Sequence, residues 1–295
     1  VNIDLAADGL TMQAKGNTLG MFGTLDMTRF SENAFAETHI FYESVSADID
    51  FDYGGDRGIF KLTGGPSVAD MSLSGEELVY ESSSGDIGVS ISGSLLPLPV
   101  IEIGLGSGDL DMRLPLRPSD APEDFGLVFA LNDLTVGDAV WNLFDPTGQL
   151  PRDPARIALD VSGKGRLLID IMDPELQTGM DDIPAEIESV NLNSIALSAA
   201  GATISGEGAL TLDNARMSPL GAGPAVAGGI DLSMIGLDGL LNNLSTMGLL
   251  ADEQATGIRM MLGLFTRPGD APDSLVSAIE LTEDGQVLAN GQRIR

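Results

Sequence analysis

The sequence predicts a mainly β protein: a large curved antiparallel sheet, taco-like or sandwich-like, with a C-terminal αα-hairpin and a closing β-meander. Apolar and polar residues alternate in short runs bounded by Gly, Asp, Asn and Ser, which is the period of a strand with one buried face. At 45–53, for example, the apolar residues are separated by Ser46, Asp48, Asp50 and Asp52. Helical patterns are few and occur late. A chain of 295 residues with 43% hydrophobic content can form a sizeable core.

Alternation and turn residues place the individual elements. The predicted strands lie at 1–5, 10–14, 45–53, 87–91, 101–105, 110–114, 190–192, 195–199 and 202–204. Near the end of the chain, Asp284-Gly285 and Asn290-Gly291 are hairpin turn signals, and they predict a β-meander from Leu275 to Arg295.

Two amphipathic patterns predict the αα-hairpin over 238–267. Asp238 is the expected N-cap of the first helix, and Gly248 the residue that ends it. The second helix begins near Asp252, and its spacing places Met261 on the face that packs into the core. A short helical turn is expected at 138–144.

The domain prediction is one extended β-rich domain over 1–295. A Pro- and Asp-rich stretch at 117–123 and an acidic stretch at 173–188 are candidate boundaries, so a division near 118 or 182 stays open.

Charge and composition exclude several kinds of partner. The 15 Lys and Arg residues against 44 Asp and Glu residues give a net charge of −29, which repels nucleic acid. Anionic headgroups are repelled as well, so contact with lipid would have to be made by apolar surface. No apolar run reaches the length of a membrane-spanning helix. The chain starts in a strand pattern without Met, so we expect that a signal peptide or anchor preceded it.

Residues with catalytic or metal-binding potential form no recognisable site. There is no cysteine, and His39 is the single histidine. Asp48-x-Asp50-x-Asp52 suggests a calcium loop, but Tyr53 and Ile59 stand where such a loop needs Gly and Glu. We therefore predict no catalytic residue, no metal site and no cofactor, and a protein that is not an enzyme.

Two stretches go beyond a generic β pattern: 134–163, which contains Trp141 and Asp145-Pro146, and 260–293. They resemble an uncharacterised domain-of-unknown-function family of exported Gram-negative proteins. More distantly, the chain is similar to the AsmA-like and YdgA-like envelope proteins. The resemblance implies a long curved sheet, a place in the periplasm or cell envelope, and a role in lipid handling or outer-membrane homeostasis. In the first stretch we expect Trp141, Leu143 and Phe144 to anchor a short helix to the sheet.

Three functions remain open. In the first, a concave apolar sheet face binds a lipid, another apolar ligand or a strand of an envelope protein. The second is a purely structural or surface role in the envelope, without a ligand, and the third and weakest is a carboxylate-dependent hydrolase. The candidate ligand-binding residues, all on predicted strands, are Ile49, Phe51, Ile101, Ile103, Leu192, Ile195 and Leu197.

Overall fold

The structure is a computed structural model that describes residues 1–17, 35–170, 184–219, 221 and 223–295, and structural statements refer to these residues. The possible boundary at 182 lies outside them. The helices are α1 (Asp138–Phe144), α2 (Leu237–Thr246) and α3 (Asp252–Phe265). The strands are β1 (Asn2–Asp8), β2 (Thr11–Gly16), β3 (Phe35–Tyr42), β4 (Ser44–Tyr53), β5 (Asp56–Gly64), β6 (Ser67–Ser74), β7 (Glu77–Ser84), β8 (Ile87–Gly93), β9 (Ile101–Leu105), β10 (Ser107–Pro115), β11 (Glu123–Val136), β12 (Ala155–Leu167), β13 (Ala185–Ala199), β14 (Ala202–Met217), β15 (Pro224–Ile235), β16 (Arg267–Pro268), β17 (Ser274–Leu281), β18 (Val287–Ala289) and β19 (Gln292–Arg293).

The strands form one large open antiparallel sheet, as the alternating pattern predicts. We call each crossing of the sheet by the chain a pass. Each of the first five passes consists of two strands in line: β1 with β2, β3 with β4, β5 with β6, β7 with β8, and β9 with β10. The sixth pass is β11 alone. The pairing register is the same on both sides of each break: Asn2 lies opposite Asp50, and Thr11 lies opposite Phe41. The two strands of a pass are therefore halves of one long, interrupted strand.

The halves belong to two regions of the sheet. The minor sheet contains β1, β4, β5, β8, β9 and the end of β11. The major sheet runs in the order β2, β3, β6, β7, β10, β11, β12, β13, β14, β15, β17, β18 and β19. β10 and β11 pair directly across the candidate boundary at 118, so the sheet continues there.

The interruptions lie side by side, and we call their line the seam. It consists of residues 9–10, 43, 65–66, 85–86, 106 and 132–133. Backbone hydrogen bonds still cross it: the Gly65 N–H donates to the Asp86 carbonyl at 2.7 Å, and the Gly85 N–H donates to the Pro66 carbonyl at 2.7 Å. The seam therefore bends or shifts the strands without separating them.

The hydrophobic alternation changes phase at the seam in every pass. Ala7 and Leu10, Tyr42 and Val45, and Leu105 and Gly108 are each three residues apart, although same-face neighbours on a strand are two apart. An uninterrupted strand would turn the apolar residues of its two halves to opposite faces. Leu105 nevertheless lies on the side of Gly108, because its Cδ2 is 3.5 Å from the position that a Cβ on Gly108 would occupy. The seam thus keeps one apolar face continuous.

This apolar face extends across nearly all strands. A row of directly paired residues in the minor sheet is Ile3, Ile49, Phe60, Ile91 and Ile101. A row in the major sheet is Ile40, Ala69, Ser82, Leu110, Phe129, Leu159, Ile195, Gly206, Leu232 and Ser277. A bulge at 193–194 in β13 repeats the phase change locally, because Leu192 pairs with Val161 and Ile195 with Leu159.

α2 and α3 lie at one end of the major sheet, next to β14 and β17, and α1 follows the end of β11 and contacts β9 of the minor sheet. The αα-hairpin is confirmed, but the predicted N-cap is wrong. Gly236, in a left-handed conformation with φ 78°, is the N-cap of α2, and the carboxylate of Asp273 accepts hydrogen bonds from the N–H groups of Asp238 and Gly239. Within the described ranges, no helix is both long and apolar enough to cross a bilayer.

The closing meander matches its prediction. β17, β18 and β19 pair in succession, and Asn290 and Gly291 have φ values of 51° and 78°. Two successive positive φ angles are those of a type I′ turn, which an Asn-Gly pair favours.

The seam leads to a test on Gly85. A Cβ at this position would lie 2.9 Å from the Pro66 carbonyl oxygen, which accepts the hydrogen bond of Gly85 itself. We expect Gly85→Ala to lower the free energy of unfolding in urea by about 1 to 3 kcal/mol, because the two strands must move apart. Gly257→Ala on α3 is the matched control: its new methyl group meets no atom within 4 Å, so helix propensity should make the change neutral or stabilising. Equal losses in both variants would contradict a special role for the seam.

Candidate functional site

The apolar face is the main candidate site because its side chains remain partly exposed. Leu114 and Leu127 in the major sheet are 39% and 36% exposed, and Ile103 in the minor sheet is 42% exposed. The elements that pack closely are neighbouring strands in the sheet and the helices at their ends. Across the part of the chain that the structure describes, the apolar face therefore has no second packed layer of strands or helices.

A groove crosses this face where the two sheets meet. It encloses about 350 Å³, within the range of small-molecule sites. Its walls come from both sheets: Ile87 and Leu105 from the minor sheet, and Tyr42, Leu110 and Phe129 from the major sheet. The phase change at the seam brings these side chains to one side of the sheet. We call this space the seam groove.

The serines of the seam groove present little free polarity. The hydroxyl of Ser82 donates to the Leu110 carbonyl at 3.4 Å, and that of Ser84 donates to the Gly108 carbonyl at 3.3 Å. Because these two hydroxyls are already bonded to the backbone of the neighbouring strand, neither would be left without a partner when an apolar group covers it.

The seven candidate residues all lie on strands, in two separate groups. Ile49 and Phe51 on β4 and Ile101 and Ile103 on β9 belong to the minor sheet. Leu192, Ile195 and Leu197 all lie on β13 in the major sheet. At about 4.8 Å per strand spacing, β9 and β13 are about 15 Å apart along the sheet, so the two groups do not line one pocket.

Sequence reasoning did not select the residues of the seam groove. Tyr42, Leu110 and Phe129 belong to strands that alternate normally, so nothing marks them individually. The available signal was the three-residue spacing that recurs in successive passes. This spacing indicates that the two halves of each strand share one face.

The opposite face carries charged residues paired across neighbouring strands. The Nδ1 atom of His39 lies 2.7 Å from an oxygen of Asp70, and the Nζ atom of Lys61 lies 3.0 Å from an oxygen of Asp48. Both pairs are about half exposed and arise from residues directly opposite in the ladder. Among the described residues, no group of three or more His, Asp or Glu side chains could hold a metal ion.

A buried carboxylate organises the loop after α1. Asp145 is fully buried, and its two oxygens accept hydrogen bonds from the backbone N–H groups of Leu150, at 2.7 Å, and Gln149, at 2.8 Å. These hydrogen bonds, with a smaller contribution from the nearby charge of Arg152, hold the pKa of Asp145 below its ordinary value of 3.8. All of these contacts stabilise the loop, so Asp145 is a structural carboxylate.

Exposure contradicts two expectations about apolar side chains near the helices. Leu143 and Phe144 are 61% and 51% exposed, so they do not anchor α1 to the sheet. Trp141 is half-buried and stacks against Arg152, whose guanidinium carbon lies 5.8 Å from the ring centre. On α3, Met261 is 56% exposed and does not pack into the core, because the main contacts of this helix within the described structure are with α2 and β17.

No protein-family model, curated protein or solved structure matches the chain. The resemblance to the exported family therefore stays a prediction.

The Asp145 loop gives a prediction about pH. Asp145→Asn replaces one acceptor by an amide N–H group that faces a backbone N–H, so we expect Tm at pH 7 to fall by roughly 5 °C. Because the folded-state pKa is depressed, the stabilisation by Asp145 is present above pH 3.8 and disappears as the pH falls through the folded-state value. The difference in Tm between wild type and variant should therefore shrink in acid.

The control is Asp138→Asn, which removes an exposed carboxylate at the first residue of α1 that is paired with Arg152 at 2.8 Å. Calorimetry should show almost no change, because an ion pair of this kind contributes little to stability. An equal decrease in Tm in the two variants would contradict the role of the loop contacts of Asp145 in stabilising the fold.

Proposed function

We propose that this chain is a non-enzymatic protein of the Gram-negative cell envelope, exported to the periplasm, that holds lipid acyl chains on its apolar face. The observation that carries the proposal is the partly exposed apolar face running through both sheets, with the seam groove at its centre. Exposed apolar surface of this extent is typical of sites that bind apolar ligands or partners.

The dimensions of the groove agree with an acyl chain. The seam groove is lined by β3, β6, β7, β10 and β11, which gives four strand spacings, or about 19 Å across the strands. One leaflet of a bilayer has a hydrocarbon thickness of about 15 Å. A single extended acyl chain would therefore fit across the strands with its headgroup outside the groove.

The charge distribution also favours an apolar mode of binding. With a net charge of −29, the protein gains nothing from an anionic headgroup and must bind through its apolar face. The acidic residues on the opposite face keep the exposed apolar surface soluble. A neutral or zwitterionic lipid, or a fatty acid whose carboxylate remains in solvent, meets both conditions.

A purely structural envelope protein is the second candidate. The large sheet and its acidic face would suffice for that role, and the seam groove would then stay empty.

The test begins with protein purified from the periplasm of a Gram-negative host. Native mass spectrometry followed by organic extraction should detect a stoichiometric phospholipid or fatty acid. After delipidation, titration with a fluorescent fatty acid should restore saturable binding. A clean apo mass together with no saturable binding would reject the acyl-chain proposal in favour of the structural role.

A pair of neighbouring variants assigns the binding to one face. Phe129→Glu places a charge in the seam groove, and we expect the fatty-acid Kd to rise at least about tenfold, because a carboxylate is costly to bury against an acyl chain. Val128→Glu introduces the same charge one residue earlier, on the opposite face, and should leave Kd unchanged. Equal losses of binding would place the ligand elsewhere.

A further inference from the structure

The first pass forms an exposed edge of the sheet. Among residues 1–17, 35–170, 184–219, 221 and 223–295, β1 pairs only with β4 and β2 only with β3, and residues 1–15 are all exposed. Ile3, Leu5 and Met12 are 58%, 69% and 56% exposed. At the other end of the sheet, β18 and β19 are only three and two residues long. A short edge strand is protected from pairing, whereas a long apolar edge is a template for another strand.

The backbone N–H and C=O groups that point outward from this edge belong to its apolar residues. The Asn17 N–H donates to the Phe35 carbonyl, so by antiparallel alternation the backbone groups of Met12 and Ala14 point away from β3. Side-chain face and backbone direction alternate together along a strand. Ile3, Leu5 and Ala7 lie on the same apolar face and therefore point their N–H and C=O groups outward too.

We propose that β1 and β2 pair with β1 and β2 of a second copy of this chain, antiparallel about a two-fold axis that crosses the sheet at the seam. In this register Ile3 lies opposite Ala14, and the two residue numbers of every pair have the same odd sum. The pairs on the apolar face are Ile3 with Ala14, Leu5 with Met12, and Ala7 with Leu10. All six residues have outward-facing backbone groups, so these pairs and their symmetry mates would form about twelve backbone hydrogen bonds.

The phase change at the seam makes this self-pairing possible. When the two residue numbers of each pair have an odd sum, every odd-numbered residue lies opposite an even-numbered one. In an uninterrupted strand this would place apolar residues opposite polar ones. Here the apolar residues have odd numbers in β1 and even numbers in β2. An odd sum therefore matches apolar with apolar, and the seam of one copy continues into the seam of the other.

The charges on the opposite face agree with the same register. It places Asn2 opposite Lys15 and Asp4 opposite Gln13, so the carboxylate of Asp4 faces no other carboxylate across the pair. Lys15 becomes a diagonal neighbour of Asp4 in the second copy, which is attractive. The exception is Asp8, which lies beside the axis and meets its own copy there.

Cysteine cross-linking tests this register, because the chain contains no cysteine. In the Asp4→Cys/Gln13→Cys double variant, the two positions would form a non-hydrogen-bonded pair across the interface with Cα atoms about 4.5 Å apart, short enough for a disulfide. We expect a covalent dimer to be the main product of mild oxidation. Positions 4 and 13 lie too far apart along one strand to be joined within a single copy.

The matched control is the Asp4→Cys/Thr11→Cys variant, whose second cysteine lies on the same face but two residues out of register. The separation then exceeds about 7 Å, so little dimer should form. Equal cross-linking in both variants would overturn the proposed register. If wild-type protein sediments as a monomer at 100 μM or so in 0.15 M salt, where charges beyond about 8 Å are screened, the dimer itself is overturned.

Amide hydrogen exchange then identifies what occupies the edge in a monomer. Protected amides at Leu5 and Met12 would mean that another segment of the same chain covers the edge, and rapid exchange would mean an open edge. Either result rejects pairing with a second copy, and neither bears on fatty-acid binding. The dimer proposal and the proposed function can therefore fail independently.

A substitution of Asp8 is expected to strengthen the dimer. Removing the like charges near the axis with Asp8→Asn should lower the dimer dissociation constant by about two- to fivefold. Asp50→Asn is a control on the same face one strand further in, paired with Asn2, and should leave the dissociation constant within experimental error. Sedimentation equilibrium measures both. Weaker association of Asp8→Asn would contradict the placement of the axis.

Discussion

The structure depends on the seam, where six passes of the sheet change phase together while their backbone hydrogen bonds continue. A strand has a two-residue period, so a three-residue spacing between apolar residues would normally turn half of each strand toward water. Because the interruptions are aligned from Gly9 to Asp133, the alternation of apolar and polar residues shifts by one residue in each of the six passes. One apolar face results. The seam groove lies on this face, and no described strand or helix forms a second layer over it.

The sequence was sufficient for the class of the fold and for its local turns. Alternating runs predicted the sheet, and the Asn290-Gly291 pair predicted a hairpin that the structure forms with both residues at positive φ. The helix starting at Asp252 was also predicted, because its apolar spacing and acidic first turn are local signals. Such features depend on residues close together in the chain, and a single sequence contains that information.

The site could not be predicted in the same way, because exposure depends on what packs against a residue. Met261 has the spacing of a core residue and Phe144 the chemistry of an anchor, yet both are exposed because little in the described structure packs over α1 and α3. The N-cap of α2 was missed for a related reason. Its N–H groups bond to Asp273, more than thirty residues away, which is invisible to a local capping pattern.

Charge explains how so much apolar surface can remain open. Acidic residues alternate with apolar ones along strands such as β4 and β10, so their carboxylates lie on one face while the other stays apolar. Long-range repulsion between molecules carrying −29 opposes nonspecific stacking of apolar faces, but it is screened beyond about 8 Å in physiological salt. Whether two molecules bind at close range then depends on how well the residues and backbone groups at the contact match. The first pass offers such matching, with apolar residues and outward backbone groups in register, whereas the face itself offers only apolar area. We therefore expect the edge to select one protein partner and the face to accept a range of apolar ligands.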